Sequence, residues 1–166
     1  MCYRVSFSCP QNSDVEHFLL NQAFDFERTG NARTRLILDN KTGAILAYFS
    51  VTIRELILEG ANISKSEVKR LDGFNKKAER VQAFLIGQIG KNFSIDKNPI
   101  TLSDILEEVY SVFSQARELI GGRVVFLECE NNDKLIELYS KHDFKLLNTV
   151  PQDDSGLLTM YINVHD

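Results

Sequence analysis

The sequence predicts an α/β protein built on a mixed sheet, and three observations carry that expectation. Segments with period-2 or continuous apolar character alternate with segments of period 3.6 along the chain. Two runs, residues 81–90 and 123–129, have the near-continuous hydrophobicity of strands buried on both faces. The 166 residues, 43% hydrophobic and 25% charged, suit one well-buried core, hence a single domain over residues 1–166.

Residues 3–8 alternate as a first strand would. Ser13-Asp14-Val15-Glu16 has capping-box residues, with the Ser13 hydroxyl accepting the Glu16 amide and the Glu16 carboxylate reaching back. Val15, Phe18, Leu19, Gln22 and Phe26 then share one helical face, and Gly30 ends the helix. Residues 33–38 and 44–53 are strand-like runs on either side of Asp39-Asn40-Lys41-Thr42-Gly43, a hairpin loop by composition. Residues 53–58 continue that strand or bend away, and the polar residues 62–80 predict a helical turn plus loop.

Gly87 and Gly90, inside the 81–90 strand, point to a bulge or to close approach of another group to the backbone. Ile105, Leu106, Val109, Val112, Phe113 and Ala116 form a helical stripe closed by Gly121-Gly122. The 123–129 strand, a short amphipathic helix over 133–142, and a strand pair over 144–150 and 157–164 complete the order β-α-β-β-(α)-β-α-β-α-β-β.

Composition removes several function classes. A net charge of −4 gives nucleic acid no global attraction. Residues 62–80 run against that balance: Lys65, Lys69, Arg70, Lys76, Lys77 and Arg80 outnumber Glu67, Asp72 and Glu79, six minus three, or +3. Such a run is a solvated face or a phosphate contact. Cys2, Cys9 and Cys129 form no C-x-x-C pair, and His17, His142 and His165 are scattered, so neither a disulfide framework nor a metal site is expected. Cys129, in an apolar run, reads as a buried inert thiol. No apolar run approaches the roughly 20 residues that span a bilayer, and the first residues do not read as an export signal, so a cytoplasmic protein without a membrane partner is expected.

Two features could carry chemistry. Thr101-Leu102-Ser103-Asp104 has the residue types of a helix N-terminus, where unpaired amides and the helix dipole favour an anion; a plain cap with no ligand explains it as well. Tyr139 falls on the apolar side of its helix, above Leu135 and Ile136. A phenol there is a core aromatic, or a general acid able to protonate a thiolate leaving group.

Together these features resemble a known family. Glu128-Cys129-Glu130-Asn131-Asn132-Asp133-Lys134-Leu135-Ile136-Glu137-Leu138-Tyr139-Ser140-Lys141-His142-Asp143-Phe144 is similar to the GNAT acetyltransferase pattern of a strand followed by Asn-x-x-Ala-x-x-Phe-Tyr-x-x-x-Gly-Phe. Asn132, Tyr139 and Phe144 match, whereas Leu135, Leu138 and Asp143 replace the alanine, phenylalanine and glycine. Phe84-Leu85-Ile86-Gly87-Gln88-Ile89-Gly90 resembles the family's central strand. In the N-terminal half, Phe7-Ser8-Cys9, Val15-Glu16-His17-Phe18-Leu19, Arg33-Thr34-Arg35-Leu36-Ile37-Leu38 and Gly43-Ala44-Ile45-Leu46-Ala47-Tyr48-Phe49-Ser50 are similar to the acetyltransferase toxins of toxin–antitoxin pairs, which act on aminoacyl-tRNA.

The resemblance implies a GNAT fold: a mixed central sheet with helices on both faces and a splayed central strand pair that holds acyl-CoA. It implies acetyl transfer from acetyl-CoA to a primary amine by direct attack, without a metal. The pantetheine arm would pair with Ile89, Gly90 and Lys91, a strand amide near Ile89 would polarise the acetyl carbonyl, and Tyr139 would protonate the departing thiolate. Lys97, Asn98, Thr101, Leu102 and Ser103 would face the pyrophosphate, and Asn132 completes the cofactor-binding set. Glu55, Glu128 and Glu130 are candidate bases by position only. A homodimer is compatible with the sequence.

The main departure is the pyrophosphate loop, where the family's Gln/Arg-x-x-Gly-x-Gly/Ala becomes Lys97-Asn98-Pro99-Ile100-Thr101-Leu102-Ser103, without glycine and with one amide removed by Pro99. Weaker CoA binding or a different pose follows. Two other readings stay open: a non-catalytic GNAT-like binding module, and an acetyltransferase acting on aminoacyl-tRNA, which the acidic composition does not favour.

Overall fold

The computed structural model describes residues 6–148 and 155–164. In chain order they form α1 (Ser13–His17), a π-helical turn (Phe18–Gln22), α2 (Ala23–Thr29), β1 (Arg33–Leu38), β2 (Ile45–Ile57), α3 (Lys65–Asp72), β3 (Arg80–Lys91), α4 (Leu102–Ile120), β4 (Val124–Glu130), α5 (Asp133–Ser140), β5 (Lys145–Leu146) and β6 (Leu157–Asn163). The strands make a six-stranded sheet in the order β1-β2-β3-β4-β6-β5. β1 and β2 are antiparallel, β3 and β4 parallel, and β6 antiparallel to both β4 and β5. The mixed α/β architecture expected from the sequence is therefore present. No helix among the described residues is long and apolar enough to cross a membrane.

The chain divides into two compact units, residues 1–52 with 87–112 and residues 53–86 with 113–166. In the first, α1 is capped by Asn12, not by Ser13: the Asn12 carboxamide oxygen accepts the amides of Asp14 and Val15, both at 3.1 Å. One short polar side chain thus serves two orphan amides. The Glu16 carboxylate does not close a box with Ser13. It accepts the Cys9 amide at 2.7 Å and the Ser8 hydroxyl at 3.2 Å, anchoring the preceding segment.

The single helix expected as far as Gly30 is interrupted by the π turn. Tyr48, fully buried, donates its hydroxyl to the Val15 carbonyl at 2.6 Å, just before the change of pitch. A side chain inserted on a helix carbonyl in this way loosens the i→i−4 ladder. Phe7, Cys9, Val15, Phe18, Ala23 and Tyr48 close a small core there, with Phe7 edge-on to Tyr48 at 5.3 Å. α2 ends at Gly30 with φ +75°, as expected.

Asn92 organises the rest of this unit. It is fully buried, and its carboxamide oxygen accepts the Ser8 amide (3.0 Å), the Ser94 amide (3.0 Å) and the Ser94 hydroxyl (2.8 Å). Its NH₂ group donates to the Ser6 and Ile45 carbonyls at 2.8 and 2.7 Å. Of the first strand expected over residues 3–8, residues 3–5 lie outside the described residues, and Ser6, Phe7 and Ser8 have no strand assignment. The Asn92 side chain, with the Phe93 amide donated to the Ser8 carbonyl at 2.8 Å, holds their backbone.

In the second unit, Ser64 caps α3 by accepting the Glu67 amide at 3.1 Å. Val68 and Leu71 then pack with Leu56, Leu58, Val81, Val124, Phe126, Leu147 and Tyr161. A polar brace accompanies this core: the Tyr161 hydroxyl donates to Glu67 at 2.9 Å, and Arg70 pairs with the same carboxylate at 2.8 Å. β4 and β6 pair from Val124↔Asn163 to Glu130↔Leu157. Of the strand expected over 144–150, β5 is regular, and the Leu147 amide donates to the Thr159 carbonyl at 2.9 Å in the same register; residues 149 and 150 lie outside the described residues.

Candidate active site

α5 begins at a cap and ends at a turn that together place Tyr139. The Asn132 side chain accepts the Lys134 amide at 2.9 Å, and Asp143 takes φ +66° after the last turn. Tyr139 is the buried residue of α5, 8% exposed, with its ring edge-on to Phe144 at 5.9 Å and 68°. Two of the three matches to the GNAT pattern are therefore in ring contact. The Tyr139 hydroxyl has no hydrogen-bond partner among the described residues, and it is not among their fully occluded unpaired oxygens. Burial pushes the phenol up to about 12, with the nearby Cys129 adding to the rise, so Tyr139 is a neutral phenol at physiological pH. Cys129 is itself buried, and burial raises its thiol, in keeping with an inert cysteine.

In the first unit, β3 carries Ile89 and Lys91 half-buried and Gly90 buried. The recorded β3–β4 pairs are Phe84↔Val125, Leu85↔Phe126 and Ile86↔Leu127, whereas β3 itself continues to Lys91. The two glycines of this strand differ in purpose. A Cβ on Gly90 would overlap the Val15 Cγ1 and press on the Tyr48 and Phe7 rings at 3.2 and 3.3 Å. A Cβ on Gly87 would meet only the Ser50 carbonyl, at an ordinary 3.7 Å. The group that approaches Gly90 is thus the protein's own core.

The glycine-free loop is internally committed. The Asn98 NH₂ group donates to the Leu46 and Asn92 carbonyls at 2.7 and 2.9 Å, and its oxygen accepts the Ile100 amide at 3.1 Å. Lys97 has φ +52°. Thr101 and Asp104 form a reciprocal cap: the Asp104 carboxylate accepts the Thr101 amide and hydroxyl at 2.7 and 2.6 Å, and the Thr101 hydroxyl accepts the Asp104 amide at 3.3 Å. The Thr101 hydroxyl and amide hold the Asp104 carboxyl below the usual carboxylate range, with Lys91 contributing. What remains for an anion is the amides of Leu102 and Ser103, for which no acceptor is recorded among the described residues, and the ammonium groups of Lys91 and Lys97. The residues fit a phosphate with fewer donors than a glycine loop offers.

Of the candidate bases, Glu55 is paired with Arg80 at 3.3 Å, and Glu128 and Glu130 are exposed on β4. The sequence reading missed Asn92 and the role of Asp104. Asn92 has a local partner only in Ser94; its other partners, Ser6, Ser8 and Ile45, are distant in sequence. Asp104 was visible as a capping residue.

No sequence-family model matches the chain, and no curated protein matches it significantly in sequence. Solved structures do. AtaT complexed with acetyl-methionyl-tRNAfMet superimposes with a TM-score of 0.73 at 16% identity, covering 95% of this chain and 85% of that one. The chain has the fold of the toxin-type GNAT proteins. A tyrosine-to-phenylalanine mutant of KacT matches with a TM-score of 0.71 at 15% identity, over 97% of this chain and 88% of that one. AtaTR bound with acetyl-CoA matches with a TM-score of 0.68 at 16% identity, over 97% and 87%. The GNAT fold expected from the sequence is thus present along nearly all of the chain, including the N-terminal half that resembles the toxins.

Proposed function

We propose that this protein transfers an acetyl group from acetyl-CoA to a primary amine, with Tyr139 as the general acid. The observation that carries the reading is the placement of Tyr139: a buried ring on α5 against Phe144, with a hydroxyl that has no hydrogen-bond partner among the described residues. A core tyrosine is stabilised when its hydroxyl finds a partner, as Tyr48 does on Val15 and Tyr161 does on Glu67. A neutral phenol without a protein acceptor among the described residues is free to donate to a leaving group.

The amine nitrogen attacks the acetyl carbonyl, the carbon–sulfur bond breaks, and the CoA thiolate takes the Tyr139 proton. A water then restores the phenol as the amine sheds its extra proton. Backbone groups of Ile89, Gly90 and Lys91 bind the pantetheine arm, and an amide near Ile89 polarises the carbonyl. Leu102 and Ser103 amides, with Lys91 and Lys97, receive the pyrophosphate. Asn132 acts through the orientation of α5, since its side chain is spent on the Lys134 amide.

The acceptor reading best supported is the amino group of an aminoacyl-tRNA. AtaT, complexed with acetyl-methionyl-tRNAfMet, shares this fold over 95% of the present chain, and residues 62–80 supply local positive charge on an acidic protein.

Calorimetric titration with acetyl-CoA, beside CoA and a Ser103→Asp variant, tests the cofactor assignment. Micromolar binding weakened by the introduced carboxylate is the expected result. No binding at millimolar ligand removes the enzyme reading and leaves a GNAT-shaped binding module.

A further inference from the structure

The loop after α3 presents an aromatic ring that folding leaves in water. Phe74 is 90% exposed. Its backbone is nevertheless fixed. Gly73 ends α3 with φ +94° and gives its amide to the Lys69 carbonyl at 2.8 Å, a left-handed step that glycine makes at no steric cost. The Asp72 carboxylate accepts the amides of Phe74 and Asn75 at 3.1 and 2.6 Å, and the Asn75 side chain accepts the Lys77 amide at 2.9 Å. Burying a phenyl ring stabilises a fold. A loop that forgoes that gain while locking its backbone with three side-chain bonds is built to present the ring.

The charges around the ring select its ligand. Arg70 is neutralised by Glu67 at 2.8 Å, and Arg80 pairs with Glu55 at 3.3 Å. Lys69, Lys76 and Lys77 have no ion pair or side-chain hydrogen bond among the described residues, and Lys76 and Lys77 are exposed in the same turn as Phe74. Asp72, the nearest acid, has its carboxylate occupied by two amides. A single exposed ring with cations beside it offers too little apolar area for a protein partner. It has the two components of a single-strand site: a stacking surface and a cationic track.

We propose that residues 73–77 bind single-stranded nucleic acid, with a base stacked on Phe74 and the flanking phosphates on Lys76 and Lys77. The inference rests on the aminoacyl-tRNA reading of the acceptor and names the segment that would hold its RNA.

The test uses the full chain and a short, unstructured, labelled single-stranded RNA, with anisotropy read over a range of salt. Phe74→Ala should weaken binding about tenfold or more, the loss of one stacked base, and leave the salt slope unchanged. Replacing Lys76 and Lys77 with alanine should reduce the slope of log affinity against log salt by about 1.4, two phosphate contacts of a single strand. The chain has no tryptophan, so Phe74→Trp introduces a lone indole reporter. That variant should bind at least as well as the wild type, and its fluorescence should be quenched as RNA is added.

Wild-type protein that binds no RNA, Phe74→Ala protein that binds like the wild type, or bound Phe74→Trp protein without quenching overturns the proposal. Acetylation of an amino-acid amide is measured in parallel. Turnover of that amine without RNA binding defeats this inference alone. RNA binding through Phe74 without any acetyl transfer defeats the catalytic reading alone.

Discussion

Asp104 accepts both the amide and the hydroxyl of Thr101, at 2.7 and 2.6 Å, so a carboxylate occupies the N-terminus of α4. A helix start with this dipole attracts anions, and here the protein supplies its own. Asp104→Asn keeps an acceptor for Thr101 and removes the charge. It should tighten acetyl-CoA binding about two- to fivefold, with a larger gain at low ionic strength. Calorimetry measures this directly, and an unchanged affinity would place the pyrophosphate elsewhere.

The two glycines of β3 should respond differently to a methyl group. Gly90→Ala drives a Cβ into Val15 and towards the Tyr48 and Phe7 rings. Val15 is β-branched and the rings are stiff, so relief requires backbone movement, and about 1–3 kcal/mol of stability should be lost. Gly87→Ala places its methyl at an ordinary 3.7 Å from Ser50 and should change stability little. Urea unfolding of both variants distinguishes this account from one in which both glycines clear space for a ligand.

Asn92→Ala removes one side chain and strands several groups at once. The Ser8 and Ser94 amides and the Ser6 and Ile45 carbonyls lose their partner. A polar group left unpaired away from water costs about 1–3 kcal/mol; these groups are part-buried, so the variant should lose about 1–3 kcal/mol despite keeping every apolar contact. A shift of the urea midpoint close to zero would show that water replaces the carboxamide.

The sequence was most legible where one face is buried. The period-2 and continuous apolar runs marked β3 and β4, and the Ile105-to-Ala116 stripe marked α4, because burial imposes those periods. It was least legible where a long-range polar contact decides. Asn12 and Ser13 are equally good caps by type; the choice follows from Glu16 turning to Ser8 and Cys9, which brings Asn12 to the helix start. The π turn depends on Tyr48, more than thirty residues away. The stretch over residues 97–103 resembles a glycine-free phosphate loop in sequence, yet Asn98 directs it inward to the Leu46 and Asn92 carbonyls. Tyr139 was legible in its motif, but that its hydroxyl has no partner among the described residues could be seen only in three dimensions.

Acid should unfold the second unit in part through Glu67. Burial alone would raise that carboxyl, but the hydrogen bonds from Arg70 and Tyr161 outweigh it and hold it below its ordinary value of 4.5. A carboxyl lowered in the folded state contributes stability that is present above 4.5 and lost as pH falls through the folded value. Glu67→Gln should therefore reduce stability near neutral pH and flatten its decline below about pH 4.5. Urea midpoints across that range test it, and parallel curves for the two proteins would remove Glu67 from the acid response.

The central claim is that Tyr139 donates a proton to the CoA thiolate, and the most direct measurement is amine-dependent thiol release by wild-type and Tyr139→Phe protein. Phenylalanine keeps the ring against Phe144 and removes only the hydroxyl. The account predicts unchanged acetyl-CoA affinity and a kcat lower by about 10²- to 10⁴-fold. Turnover of the Tyr139→Phe protein at the wild-type rate would contradict it.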